Sequence, residues 1–217
     1  MKLIEMTLNQ FSNEVDSNSP APGGGSVAAL SSNIGVSLAR MMANLSFGKK
    51  KYEALDEDIK AEFNNRFEKL GDIRNELMEL VDRDTESFNE VMKAFKMPKA
   101  TDEEKDFRNK AIQEATLFSI EVPYKTAELS LEALRLLEYL VGYGNQNAIT
   151  DVGVGTLLSY SGMEGAILNV KVNLMGLEDT KIVEEYSSKC TSMIKEGSEI
   201  KDRIMSNIHK SLDPAKA

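Results

Sequence analysis

Apolar positions recur along most of this chain at three- and four-residue steps, the spacing that gathers them on one side of a helix, and no segment alternates with the two-residue period of a strand. The first such stretch follows Thr7, which caps it, carries Leu8, Phe11 and Val15 on one side, and ends near the Asn18-Ser19-Pro20 breaker. A second runs from about Ser26 to Ser46. Its Ala28, Ser32, Gly35, Ala39 and Ala43 form a small-residue face that admits a neighbouring backbone, as suits the central helix of a bundle. Asn33, Arg40 and Asn44 interrupt its apolar run, which argues against a membrane span.

From Asp56 a long helical pattern carries Ile59, Phe63, Leu70, Ile73, Leu77, Leu80, Val81, Phe88, Val91 and Phe95 as far as Pro98. Thr101-x-x-Glu104 is a capping box that opens another helix. Pro123 falls inside the pattern that follows, where it should kink the chain and free the carbonyl of Ser119. The pattern resumes through Leu129, Leu134, Leu137 and Leu140 and stops at Gly142-Tyr143-Gly144. Asp151 then reads as the cap of a Gly- and Leu-rich helix to about Leu174, and a last amphipathic helix runs from about Thr180 to Leu212. The expected fold is all-α: a single-domain helical bundle over residues 1–217, with long, partly kinked antiparallel helices.

Composition narrows the chemistry. A net charge of −9 argues against a nucleic-acid surface, which wants a basic patch. The single cysteine, Cys190, forms no internal disulfide framework, and residues 1–9 lack a secretory pattern, so the expectation is a cytoplasmic protein. With one histidine, His209, and no Cys/His cluster, an ordinary zinc site and a His-activated nucleophile are both disfavoured. Catalysis, if present, rests on carboxylates, amides and backbone.

Asp84 is the sharpest anomaly. At about 100° per residue it falls in the middle of the stripe made by Ile73, Leu77, Leu80, Phe88 and Val91, whereas Asp82 falls on the opposite face, where a solvated charge is ordinary. Burial there would raise the Asp84 pKa and suit it to general acid or base work; the plainer alternative is a carboxyl that caps or bonds another helix. Pro20 and Pro22 stiffen the approach to Gly23, Gly24, Gly25 and Ser26. That turn serves either as a tight entry loop or as a set of backbone donors facing a ligand at a helix N-terminus. Asn169 and Asn173, four apart on an otherwise apolar helix, need partners: each other, a neighbouring helix or a ligand. Asn145 reads as turn chemistry. Lys49, Lys50 and Lys51 follow Gly48 as the one compact basic run, either complementing a helix C-terminus or docking a carboxylate tail.

Taken in order, Ser-Pro-Ala-Pro-Gly-Gly-Gly-Ser-Val-Ala-Ala at 19–29, Leu-Val-Asp-Arg-Asp at 80–84 and Asn-Val-Lys-Val-Asn-Leu at 169–174 resemble the cyclodeaminase/cyclohydrolase family acting on one-carbon tetrahydrofolates. Lys49-Lys50 after Gly48, Pro98-Lys99, Val122-Pro123, Gly144-Asn145 and Asp151 extend the resemblance over nearly the whole chain. It implies an all-helical homodimer with a folate site in a cleft and Asp84 as the proton donor. It further implies backbone contacts from Gly23, Gly24, Gly25 and Ser26, polar contacts from Asn145, Asp151, Asn169 and Asn173, and a glutamate or polyglutamate tail on Lys49 and Lys50. No cofactor beyond the tetrahydrofolate substrate and no metal are expected. The leading expectation is hydrolysis of 5,10-methenyltetrahydrofolate to 10-formyltetrahydrofolate. The alternatives are deamination of 5-formiminotetrahydrofolate and a non-catalytic helical dimer that binds folate or protein.

Overall fold

The computed structural model of the protein describes residues 2–213, and among them every regular element is helical. Seven α-helices follow in order: α1 (Leu8–Val15), α2 (Gly24–Asn44), α3 (Lys50–Glu53), α4 (Glu57–Phe95), α5 (Asp102–Tyr143), α6 (Ile149–Leu174) and α7 (Thr180–Ser211). Short 3-10 turns at Leu3–Glu5 and Gln146–Ala148 complete the set. The Thr7 cap expected for α1 and the box expected at the start of α5 are present, with Thr7 accepting from the Gln10 N–H and Thr101 from the Glu104 N–H.

The small-residue face of α2 packs along α6, α4 flanks its other side, and α5 lies behind both α2 and α6. Pairing runs backwards along the two central helices. Gly35 meets Gly155, Ser32 meets Gly162, and Gly24 meets Asn169, so α2 and α6 are antiparallel. A Cβ on Gly35 would lie 2.6 Å from the Gly155 carbonyl oxygen, and one on Gly162 2.0 Å from Ser32 Oγ, so the contact admits no side chain at either position. Ser32 Oγ and Ser130 Oγ, 2.6 Å apart, tie α2 to α5 inside this contact. Helix α4 also runs antiparallel to α2, with Asn33 Nδ2 donating to the Arg74 carbonyl and Arg40 stacking its guanidinium 3.8 Å from the Phe67 ring centroid. Beyond the C-terminal end of α2, Phe47, Tyr52, Phe63 and Phe67 make edge-on ring contacts.

One expectation is met and two are corrected. Pro123 lies inside α5, which runs unbroken from Asp102 to Tyr143, and the carbonyl it cannot serve, that of Ser119, is free to accept from Asn173 Nδ2 of α6 at 2.6 Å. Asp151 is not a cap. It lies in the first turn of α6, which Ala148 caps, while Asn145 caps the preceding 3-10 turn through the Asn147 N–H. Asp82 is not simply solvated; its Oδ1 accepts from the Leu3 N–H at 2.6 Å and fastens the N-terminal segment to α4.

Candidate active site

The cleft opens where the N-terminus of α2 meets α4, α5 and α6. Chain direction accounts for the meeting: α4 and α6 both run antiparallel to α2, so Asp84 in α4 and Asn169 in α6 arrive at its first turn. The approach passes through a cis Ala21–Pro22 bond, and the helix begins at Gly24, two residues ahead of the expected start.

The glycines are there for the neighbours. A Cβ at Gly25 would lie 2.0 Å from Asp84 Oδ1, an impossible separation, and one at Gly24 would lie 3.2 Å from Asn169 Nδ2. At Gly23 the nearest atom is 3.8 Å away, in ordinary contact. Removing side chains from the first turn thus lets a carboxyl from another helix reach its backbone.

Asp84 occupies that space and is half-buried. Its Oδ2 accepts from Ser26 Oγ at 3.1 Å, and the Ser26 backbone N–H also bonds the carboxyl. Ser26 Oγ is in turn 3.3 Å from Thr85 Oγ1. Asp84 thus ties α4 to the start of α2, as the plainer reading expected, and it also faces a cavity. Burial pushes its pKa above the usual aspartate value, while the two bonds from Ser26 pull it partly back. The result is a carboxyl with a raised pKa, anchored by Ser26 at the wall of a cavity, an arrangement that suits proton transfer.

The cavity measures about 400 Å³, within the range of small-molecule sites of about 300–1,000 Å³. Phe88, Val91, Phe95 and Ile112 supply apolar walls, and Ser87, Thr116 and Ser119 add polar edges. Asn169 and Asn173 line it from α6; Asn169 donates an amide N–H to the Gly165 carbonyl at 2.9 Å and Asn173 donates one to Ser119, so both amides are fixed in place. Asp84 is its only ionisable lining residue. Among the described residues no group of three or more His, Cys, Asp or Glu could hold a metal ion, and no helix is long and apolar enough to cross a membrane.

Of the residues singled out in the sequence, Gly23, Gly24, Gly25, Asp84, Asn169 and Asn173 line this cleft, and Ser26 supports Asp84 from behind. Lys49, Lys50 and Asn145 do not. They line a second cavity of about 280 Å³ with Ser46, Lys51 and Tyr52 at the opposite end of α2, about 30 Å away by helix rise. Asp151 lines neither. Ser87, Thr116 and Ser119 were missed, since hydroxyls on helices are common; Phe88, Val91 and Phe95 were counted with the core stripe because an apolar cleft wall has the same periodicity as a core.

Residues 7–192 match the family model described as formiminotransferase-cyclodeaminase. A methenyltetrahydrofolate cyclohydrolase of Methylorubrum extorquens is 36% identical over 207 residues, covering 95% of this chain and 98% of that protein. The formimidoyltransferase-cyclodeaminase of Gallus gallus is 32% identical over 96% of this chain but only 38% of its own length. The crystal structure of a formiminotetrahydrofolate cyclodeaminase from Thermotoga maritima superposes with a TM-score of 0.76 at 25% identity, covering 98% of both chains. The ordered motifs, the helical architecture and these matches agree: the chain belongs to the formiminotransferase-cyclodeaminase family.

Proposed function

We propose that the chain is a methenyltetrahydrofolate cyclohydrolase, converting 5,10-methenyltetrahydrofolate and water to 10-formyltetrahydrofolate, with Asp84 as the proton-transfer residue. The observation that carries this is the Asp84 carboxyl, its pKa raised by burial, bonded by Ser26 on the wall of a cleft of about 400 Å³. The end-to-end match to a free-standing cyclohydrolase supports the choice of reaction.

In this reading the pterin lies between the Phe88 and Phe95 side and the α6 amides, with Asn169 and Asn173 bonding its polar edge. Asp84 in its carboxylate form takes a proton from water as the oxygen adds to the cationic bridging carbon. The resulting tetrahedral carbon carries a hydroxyl between N5 and N10. Asp84 then gives its proton to N5 as the carbon–N5 bond breaks, the hydroxyl loses its proton to solvent, and the formyl group remains on N10. One proton is released per turnover. A carboxyl whose pKa burial has raised is better suited to return the proton than an ordinary aspartate.

A specific observation keeps the deaminase reading in play: the Thermotoga maritima cyclodeaminase matches this chain over 98% of both lengths, so a free-standing chain of this size can carry that name. There N10 would attack the formimino carbon and Asp84 would protonate the departing nitrogen. Loss of the methenyl absorbance with added protein, and no ammonia from 5-formiminotetrahydrofolate, supports the cyclohydrolase; methenyl formation with ammonia release supports the deaminase. Silence in both assays supports the binding-protein reading. The proposal extends to a cytoplasmic homodimer that takes polyglutamylated folate and needs no cofactor beyond its substrate, so exhaustive dialysis against a chelator should leave turnover unchanged.

A further inference from the structure

We propose that Pro123 is a positioning residue for ligand selection: by withholding an N–H from α5 it leaves the Ser119 carbonyl to hold Asn173, so that the cleft wall formed by α5 and α6 selects ligands by their hydrogen-bond donors. The proposal rests on the folate reading above and names the pterin edge that this wall takes.

In an uninterrupted helix the residue at position 123 would donate its N–H to the carbonyl four residues back, that of Ser119. Proline has no N–H to give, and its ring crowds that carbonyl. Pro123 and Ser119 are both buried, and a buried carbonyl needs a partner. Asn173 supplies one from α6, its Nδ2 2.6 Å from the Ser119 carbonyl oxygen.

A carbonyl accepts only from a donor, so this bond fixes which end of the Asn173 amide is nitrogen. Asn169 is fixed in the same way by the Gly165 carbonyl at 2.9 Å. Among the described residues nothing donates to the oxygen of either amide. Two lining hydroxyls are committed likewise: Ser119 Oγ donates to the Thr116 carbonyl and Ser87 Oγ to the Asp84 carbonyl, each at 2.8 Å. A hydroxyl has one proton, so both oxygens remain acceptors. Four cleft side chains from three helices therefore turn a donor to the main chain and keep an oxygen without a protein partner.

Donors stand on the other wall, where the first-turn N–H groups of α2 have no partner within the helix and Gly24 adjoins Asn169. This division matches a 2-amino-4-oxopyrimidine ring. Its amino group and N3–H are adjacent donors for the α6 oxygens, and its 4-oxo group, next along the same edge, is an acceptor for the start of α2. An N–H at position 123 would compete for the Ser119 carbonyl and release Asn173 to turn either end toward the ligand. A site of fixed acceptors rejects a ligand that lacks the donors, whereas a turning amide accommodates it.

Equilibrium binding of 5-formyltetrahydrofolate and of its 2-desamino-2-methyl counterpart to the full chain tests this. The wild type should prefer the amino compound by about tenfold, the loss expected when a buried acceptor is left without its donor. Pro123→Ala should reduce that preference to roughly threefold or less, and Asn173→Ala, which leaves α5 untouched, should do the same. Because Pro123 acts through Asn173, the double variant should bind the amino compound no more weakly than Asn173→Ala alone, whereas unrelated effects would multiply. Equal binding of the two compounds by the wild type, a preference that survives in either variant, or losses that multiply in the double variant would overturn the proposal. Turnover of 5,10-methenyltetrahydrofolate alongside any of those results would leave the reaction assignment standing. The predicted preferences without turnover would sink the reaction and keep the proposal, and a wild type that binds neither compound would overturn both.

Discussion

Asp84 is where burial, hydrogen bonding and chemistry coincide, and its behaviour should be measurable apart from the rest of the fold. Since burial raises its pKa and the proposed mechanism uses the carboxylate to accept the proton from water, kcat/KM for hydrolysis should rise with pH through that raised value. Stability has the opposite sign. An aspartate whose folded pKa exceeds its unfolded value favours the native state most below the unfolded pKa, and that contribution is lost as pH climbs through the folded pKa. Asp84→Asn removes the buried charge while keeping an acceptor for Ser26, so at neutral pH it should melt above the wild type even as it loses turnover. Equal or lower melting temperatures would show that the native carboxylate is not under strain from burial. Gly25 offers a sharper geometric test. Gly25→Ala intrudes on Asp84 and should cost about 100-fold in kcat/KM, as expected for roughly 1 Å of misplacement, whereas Gly23→Ala should stay within a few-fold. The stripe position made Asp84 legible in the sequence. Asp82 was not, because the Leu3 N–H that binds it comes from a segment 79 residues away with no periodic signal of its own.

At the scale of elements, the antiparallel contact between α2 and α6 places the site, and it depends on the absence of side chains. Gly35→Ala would press a methyl group to within 2.6 Å of the Gly155 carbonyl and 2.5 Å of Ser159 Oγ, and should destabilise the protein by about 1–3 kcal/mol. For a chain of this size that corresponds to a melting temperature lower by roughly 2–12 °C, readable by circular dichroism. The small-residue face was visible in the sequence as spacing, as were the Thr7 cap of α1 and the capping box of α5. Pro123 was visible too, but its effect depended on what took the Ser119 carbonyl, and Asn173 in a helix some fifty residues later was marked only as an amide wanting a partner. The two marks belonged to one hydrogen bond, which local patterning does not join. Asp151 misled for a related reason: an Asx residue before an apolar run looks like a cap, but the preceding turn already supplies the start of α6 and leaves Asp151 within the first turn.

For the whole molecule, a long central helix separates two cavities, one lined by Asp84 and the other by Lys49, Lys50 and Lys51. The sequence displayed Lys49 and Lys50 plainly as cations, yet a linear chain holds no measure of distance to Asp84; only the direction and length of α2 show that they stand at the far end. An all-helical bundle was legible from period alone, whereas the cleft was not, since the apolar side chains of its walls come from three helices and look like core residues one helix at a time. The central claim is that this bundle carries a proton-transferring carboxyl which opens the methenyl ring. The most direct measurement is the decay of 5,10-methenyltetrahydrofolate absorbance with wild-type protein and with Asp84→Asn, alongside folate binding by both. The account predicts enzyme-dependent decay in the wild type, a loss of about 100- to 10,000-fold in the variant, and folate affinity retained; decay in Asp84→Asn at the wild-type rate would contradict it.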